Sequence, residues 1–429
     1  MAETEKTYCC IDLKSFYASV ECVDAGLDPY KDNLVVADPD RTEKTICLAV
    51  SPAMKALGVP GRCRVFEIPK GIEYIMAKPR MRLYMEVSAK IVATYLEYVS
   101  ADDLHVYSID ECFIDLTPYM ALYRKSAKEL VEMLRSEVFK RTKITATAGI
   151  GPNLFLAKVA LDVTAKHVPD NIGVLDEASF KEIIWPHRPI TDIWQIGRGI
   201  AARLEKYGIY DMHGVACADI DLLYKEFGAN AEYLIDHAWG IEPCTIAQIK
   251  AYEPSATSFG NGQVLPCDYS FEEGRMILRE MVDETILDLI DKHLVTSHVS
   301  LYVGYKKETD DSGSSTNPIG HVSASKKLEI RTNSFDKLLE IMDALYCEKV
   351  DSARPIRRIN LAFGNLEPEE CATYDLFTDI ASEEEEHARQ DALVAIKHRF
   401  GKDAIMRGTS YKDKARGIER AHQVGGHHE

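Results

Sequence analysis

The sequence predicts an α+β protein organised around an antiparallel sheet, and three observations carry that prediction. Tyr8 to Leu13 (YCCIDL) is a short apolar run that gives way to KSFYASVE, where Phe16, Tyr17 and Val20 take helical spacing. His105 to Leu116 (HVYSIDECFIDL) alternates on either side of a polar turn, as the two strands of a hairpin do. Lys143 to Gly149 (KITATAG) is β-branched and strand-like, and a Gly-Pro turn then opens the helix-like stretch Asn153 to Lys166.

Taken in order, the first strand ends on a carboxylate, Asp12. Leu34 to Ala37 and Thr45 to Val50, separated by the turn-rich DPDRTEK, predict paired strands, and Pro52 to Leu57 predicts a short helix ended by Gly58. Arg82 to Val99 places Val87, Ile91 and Tyr95 on one helical face; Lys125 to Lys140 does the same with Leu130, Leu134 and Val138. The order β, α, β-hairpin, α, β, α is an α+β pattern. Beyond Gly173 come short helices, including Ile190 to Ile209. Ala251 to Pro266, with Pro254, Ser255, Ser258, Gly260, Asn261 and Gly262, has the composition of a flexible connection. A smaller α+β unit follows: a helix over Phe271 to Lys292, strands over Val299 to Tyr305, Val322 to Thr332 and Arg357 to Phe363, and a polar loop over Asp310 to Asn317. From Glu367 the chain is acidic, with a last helix over Glu383 to Phe400 and a polar end, GGHHE.

A length of 429 residues allows about three domains at roughly 150 residues each. With 46% hydrophobic and 28% charged residues, a largely disordered chain is excluded. No uncharged stretch reaches the roughly 18 residues of a membrane-spanning helix, and MAETEKTYCCID is charged before it is apolar, unlike a secretory signal. The expected location is the cytoplasm. The 11 cysteines are odd in number and form no CxxC, which predicts reduced thiols and no zinc site. A net charge of −17 counts against nucleic acid as a partner only if it is spread evenly, and it is not. Residues 31–90 are net basic, and cations cluster at Lys326, Lys327, Arg331 and at Arg354, Arg357, Arg358, whereas Glu383 to Glu386 concentrates acid elsewhere.

Asp12 at a strand end and Asp110-Glu111 in a hairpin turn could meet on neighbouring strands. Alone, an Asp at a strand end is commonly a helix cap, and Asp-Glu is ordinary turn chemistry. Together, three adjoining carboxylates raise one another's pKa and call for a divalent cation. Oxygen-only ligands favour Mg²⁺ or Mn²⁺, and two such ions about 3.5–4 Å apart form the clamp used for in-line displacement at phosphorus.

Four segments, IDLKSFYASVE (Ile11 to Glu21), AVSPAMKALGV (Ala49 to Val59), YSIDECFIDLT (Tyr107 to Thr117) and TAGIGPNLFLAKVALDVTAKH (Thr147 to His167), resemble in order and spacing the Y-family translesion DNA polymerases, most closely the bacterial UmuC-like branch with ImpB, MucB and SamB. The resemblance spans nearly the whole chain. It implies a right-hand polymerase: a palm of antiparallel sheet over 1–12 and 80–170, small fingers over 13–79, and a helical thumb over 171–250 with a helix-hairpin-helix-like segment. A linker over 251–262, a separate α+β little finger over 263–366 and an acidic C-terminal tail over 367–429 complete it. The implied reaction adds dNTPs to a primer 3′-hydroxyl on a DNA template, for synthesis past damaged bases in an SOS-type response.

By the same resemblance Asp12, Asp110 and Glu111 are catalytic and hold two Mg²⁺ ions with the Leu13 carbonyl, Mn²⁺ being a possible substitute. Tyr17 stands at the steric gate that excludes a ribose 2′-hydroxyl, with Phe16 beside it. Lys55 and Lys166 fall where cations meet the triphosphate, with Lys158 a weaker candidate. Gly197 and Gly199 of IWQIGRGIAARL, then Lys326, Lys327, Arg331, Arg357 and Arg358, are expected on DNA. Thr373 to Phe377 (TYDLF) resembles a sliding-clamp peptide anchored by Leu376 and Phe377. The chain departs from the family pattern at Pro52 and Lys55, where many relatives carry Tyr and Arg, at Gln195 in place of the first hairpin glycine, and at Thr373 in place of the customary leading Gln.

Three other readings share parts of this pattern. A two-metal nuclease would use the carboxylates without Tyr17 or the fingers cations; a nucleotide cyclase would use the sheet without a helix-hairpin-helix or little finger; a catalytically silent DNA-damage adaptor would have no use for all three acids.

Overall fold

β1 (Tyr8–Leu13) is apolar on both faces, and both are covered: Cys9, Ile11 and Leu13 enter one core, Tyr8 and Cys10 another. A strand of that kind belongs in the middle of a sheet. The computed structural model describes residues 6–40, 42–254, 257–306, 320–374 and 378–428, and the chain divides into two units between Tyr252 and Glu253.

In the first unit β1 is followed by α1 (Phe16–Asp24), then β2 (Leu34–Val36), β3 (Ala49–Val50), α2 (Pro52–Ala56), β4 (Ile75–Ala77) and α3 (Met81–Leu96). Next come β5 (Leu104–Val106), β6 (Glu111–Asp115), α4 (Thr117–Tyr123), α5 (Ala127–Thr142), β7 (Ala146–Gly151), α6 (Leu154–Asp162) and β8 (Ile172–Val174). The main sheet runs β5-β6-β1-β7-β8, antiparallel except where β7 and β8 pair. One face packs on α1, α3 and α5 through Phe16, Tyr84, Ile91, Leu130 and Leu134. The other meets α6 through Leu154, Ala157 and Leu161. That approach is close: a Cβ on Gly149 would lie 2.1 Å from the Ala157 carbonyl oxygen, and one on Gly151 2.7 Å from the Ala157 nitrogen. Only glycine lets α6 settle there.

A small three-stranded sheet, β3-β2-β4, carries its own core of Val35, Cys47, Val50, Met54 and Ile68. The strand expected over Thr45 to Val50 is shortened to Ala49–Val50. Its first half pairs elsewhere, Cys47 N–H donating to the Cys63 carbonyl (2.8 Å) and Val65 N–H to that of Thr45 (3.0 Å). β4, which pairs with β2 in parallel, was not anticipated. The run of short helices is α7 (Glu177–Ser179), α8 (Arg198–Glu205), α9 (Met212–Ala216), α10 (Ile220–Phe227), α11 (Ala231–Ala238) and α12 (Ile246–Ala251).

The second unit contains β9 (Ser258–Tyr269), α13 (Phe271–Asp291), β10 (Leu294–Tyr305), β11 (His321–Thr332), α14 (Phe335–Lys349), β12 (Ile356–Gly364), β13 (Glu367–Pro368) and α15 (Ile380–Phe400). Its sheet runs β11-β10-β12-β9, and helices α13 and α14 cover one face. Two expectations are corrected. The linker expected over 251–262 is shorter, because Ser258 to Gly262 is ladder, in register with Gly364 to Asn360. Gly262 reads as flexible in the sequence, but a Cβ there would stand 2.7 Å from Asn360 Oδ1; the glycine serves close packing. The segment 367–429 is no free tail either. Glu386 is buried, accepting hydrogen bonds from Ser334 Oγ (2.9 Å) and the backbone N–H groups of Phe335 and Asp336, so α15 supplies the cap for the start of α14. The loop expected over Asp310 to Asn317 lies outside the described residues.

Candidate active site

Antiparallel pairing places Asp12 and Glu111 directly opposite one another, so their side chains leave the same face of the sheet with Cβ atoms about 5 Å apart. Leu13 N–H donates to the Asp110 carbonyl (2.9 Å), which ties the hairpin turn to the end of β1. Tyr107 and Ser108 N–H both donate to the Glu111 carbonyl, and Ser108 Oγ donates to Asp110 Oδ1 (2.7 Å). The three carboxylates therefore share one end of β1 and β6. Burial, with the charges of Asp110 and Glu111, pushes Asp12 up to about 7, against the partial relief of Lys158.

That lysine, the weaker of the candidate cations in the sequence, has the fullest set of partners here. Lys158 is buried: its Nζ donates to Glu111 Oε1 (2.7 Å) and to Asp162 Oδ1 one helical turn on (3.0 Å). Burial lowers its pKa, but Asp162 and Glu111 raise it further, leaving it above the ordinary value. In the structure both ionic contacts of its ammonium are carboxylates. Cys10 Sγ, two residues before Asp12 on the same strand face, lies 3.0 Å from the same Glu111 oxygen. Among the described residues no three His, Cys, Asp or Glu side chains already converge as a metal cage. The donor set nevertheless fits a hard cation, because an all-oxygen cluster in which Asp110 and Glu111 already push Asp12 upward holds negative charge that one ammonium does not balance.

Tyr17 on α1 is half-buried and stacks on Tyr84 with ring centroids 4.5 Å apart; burial and the charge of Asp110 raise its phenol. Tyr84 is pinned by donating to Glu21 (2.6 Å), which Arg80 also grips, so Tyr17 rests on a fixed platform. The ring of Phe16, the residue expected beside Tyr17, is buried in the core under the sheet; one residue of helix rotation separates the two rings. Lys55 is exposed on α2. Burial, Arg135 and Lys55 together lower Lys14, which follows Leu13 and donates to Asn171 Oδ1 (2.7 Å). Lys166 is exposed on the short turn Thr164–His167. Sequence reasoning missed Cys10, Lys14, Asp162 and the Glu21–Arg80–Tyr84 set. Only the i,i+4 spacing of Lys158 and Asp162 offered a signal.

Gly197 caps α8 and Gly199 lies in its first turn, both exposed with open space around them. Gln195 takes the left-handed conformation (φ 69°) that a glycine would ordinarily supply. On the second unit, Arg358 is exposed near Tyr302 on the sheet face without helices, and Lys327 pairs with His298 on β10. Lys326 faces the other way, since its cross-strand partner Val299 is buried in the helix-covered core. Arg331 and Arg357 form ion pairs with Glu367 (2.9 Å) and Asp268 (3.3 Å). A cavity of ≈ 340 Å³ in this unit carries none of the site's carboxylates, and its charged walls pair with each other, as Arg407 with Asp283 and Arg420 with Glu284. Thr373 N–H donates to the Arg331 carbonyl (3.0 Å) and Thr373 Oγ1 accepts from Arg331 N–H (2.8 Å); Leu376 and Phe377 lie outside the described residues. No helix among the described residues is long and apolar enough to cross a membrane.

The impB/mucB/samB family matches residues 11–162, and its C-terminal domain matches residues 256–376. The putative UV-damage repair protein UvrX of Bacillus subtilis (strain 168) is 29% identical, over 98% of this chain and 97% of its own. DNA polymerase IV 2 of the same organism is 30% identical, over 99% of each chain. A solved Y-family DNA polymerase chimera shares the fold with a TM-score of 0.60 at 21% identity, covering 84% of this chain and 98% of its own. Carboxylates joined across β1 and β6, a mixed α+β fold of the right-hand polymerase type and full-length relatives converge: the chain belongs to the impB/mucB/samB family of Y-family translesion DNA polymerases.

Proposed function

We propose that the chain is a DNA-templated DNA polymerase that adds dNTPs to a primer 3′-hydroxyl and serves synthesis past damaged bases. The observation that carries this is the meeting of Asp12, Asp110 and Glu111 at one end of β1 and β6, in a chain whose relatives bear the names DNA polymerase IV and UV-damage repair protein. Asp12, Asp110, Glu111 and the Leu13 carbonyl would hold two Mg²⁺ ions, for which Mn²⁺ can substitute. When bound, these ions lower the pKa of the attacking hydroxyl and neutralise charge on the leaving pyrophosphate. The protein's remaining work is positioning and electrostatics. Tyr17, backed by Tyr84, presents a rigid edge to the sugar; exposed Lys55 and Lys166 supply point charges for the triphosphate. Gly197 and Gly199 offer unobstructed backbone at a helix start for a DNA phosphate, and the helix-free face of the second sheet offers Lys327 and Arg358. Docking on a sliding clamp through Thr373 to Phe377 would raise local concentration without altering the site. The cytoplasm is the compartment this work requires in a bacterial-type cell.

Primer extension on undamaged and lesion-bearing templates tests the proposal, with Mg²⁺ and Mn²⁺ each titrated. Extension on both templates is expected; a folded sample inert at every metal concentration overturns it.

A further inference from the structure

Lys158 is poorly explained as a core residue. A buried ammonium is costly unless paired, and an isosteric apolar side chain would pack α6 against β7 and β1 at no such cost. Its two partners are not equivalent. Asp162 is the more exposed and lies on its own helix, whereas the Glu111 side chain is only 9% exposed, sits on a strand, and faces Asp12. Lys158 and the Cys10 thiol converge on the same oxygen, Oε1. No hydrogen bond from the described residues engages Oε2.

Resting on the polymerase reading above, we infer that Lys158, steadied by Asp162, is a positioning residue: it holds Glu111 by one oxygen so that the carboxylate presents the other, singly, to the metal site. A carboxylate free to rotate can chelate a cation through both oxygens or swing off it; one clamped at Oε1 can do neither. The glycines of β7 belong to the same device, since Gly149 and Gly151 admit α6 to the depth at which Lys158 reaches the sheet. Because the ammonium adds positive charge beside the donor set, it opposes simple cation affinity while improving geometry. Affinity and turnover should therefore part company when it is removed.

Lys158→Met and Asp162→Asn are compared with wild type by Mn²⁺ titration of the DNA-free protein, read by electron paramagnetic resonance, and by single-nucleotide extension at saturating Mg²⁺. Lys158→Met is expected to bind Mn²⁺ at least as tightly as wild type while kcat falls roughly 10- to 100-fold, with KM for the nucleotide little changed. Asp162→Asn, a milder change at a partly exposed position, should move both quantities in the same directions by less. Three results overturn the assignment: kcat unchanged in Lys158→Met; Mn²⁺ binding and kcat lost together in both variants, the mark of a structural role; or a loss falling on nucleotide KM, the mark of a triphosphate contact. If Lys158→Met does not fold, Asp162→Asn decides by the same criteria. Wild-type protein that fails to extend primers overturns the polymerase reading itself, and the positioning role with it.

Discussion

Asp12 and Glu111 face one another as register partners across the β1–β6 ladder, and Leu13, the next residue, is hydrogen-bonded to Asp110. Like charges directly opposite on adjacent strands destabilise a sheet. Here the same two strands are otherwise closely packed: Cys9, Ile11, Cys112 and Ile114 are all buried. The apolar ladder thus holds in place a charge cluster that would not assemble by itself, and the fold is arranged to tolerate it rather than to benefit from it.

Asp110→Asn and Glu111→Gln should each lower primer extension by at least about 100-fold, while DNA binding by fluorescence anisotropy stays within about twofold, since neither carboxylate is placed on DNA phosphates. Retained synthesis would remove these residues from the catalytic role.

Asp12 predicts an opposite sign for stability. Its folded value lies near 7 against an ordinary 3.8. Between those values the folded chain keeps a proton that the unfolded chain releases. Stability of the metal-free protein therefore falls as pH rises through about 4 to 7 and stays low above it, the loss being at most about 1.4 kcal/mol for each pH unit crossed. Asp12→Asn should match wild type near pH 4 and exceed it by a few kcal/mol at pH 8 in chelator, measured by urea denaturation. Added Mg²⁺ should raise the wild-type midpoint by more than that of the Asn variant. Parallel pH curves for the two proteins would contradict this.

The carboxylates were legible because strand alternation and a hairpin turn are short-range patterns: YCCIDL and YSIDECFID declare their elements without reference to anything distant. Lys158 was not legible. Its position on α6 fixes only a helix face, and whether that face meets solvent or a carboxylate depends on Gly149 and Gly151 admitting the helix to the sheet. The glycines of β9 misled for a related reason: a strand that packs tightly and a loop that moves use the same residue, and Gly262 is distinguished only by Asn360 across the ladder. Glu386 was hidden in an acidic run whose composition reads as solvated.

Tyr17→Ala should raise ribonucleotide incorporation relative to deoxyribonucleotide by at least about tenfold, as expected when a steric filter is opened. Phe16→Ala, which removes a buried ring under the sheet, should instead lower stability by about 3–5 kcal/mol without changing sugar selectivity. Competitive incorporation assays and denaturant melts separate the two; unchanged discrimination in Tyr17→Ala rejects the gate.

Glu386→Ala should destabilise the second unit by about 2–3 kcal/mol, because it strands the Ser334 hydroxyl and the backbone N–H groups of Phe335 and Asp336. Hydrogen exchange at the start of α14 and along α15 should accelerate together. Exchange unchanged in α15 would show that its docking does not depend on this carboxylate.

The DNA interface gives the last test, and its logic is the pleat of β11. Lys327 follows Lys326 directly, so the two side chains leave opposite faces of the strand. Lys326 shares a face with buried Val299; Lys327 and, on β12, Arg358 lie on or beside the face that helices leave open. If that face meets the phosphate backbone, Lys327→Ala and Arg358→Ala should each weaken DNA binding uniformly across sequences and reduce the slope of log affinity against log salt by about 1. Lys326→Ala, one residue away and equally charged, should change the slope by much less. Equal effects from Lys326 and Lys327 would mean that only the net charge of the edge strand matters, and the assignment of this face to DNA would fail.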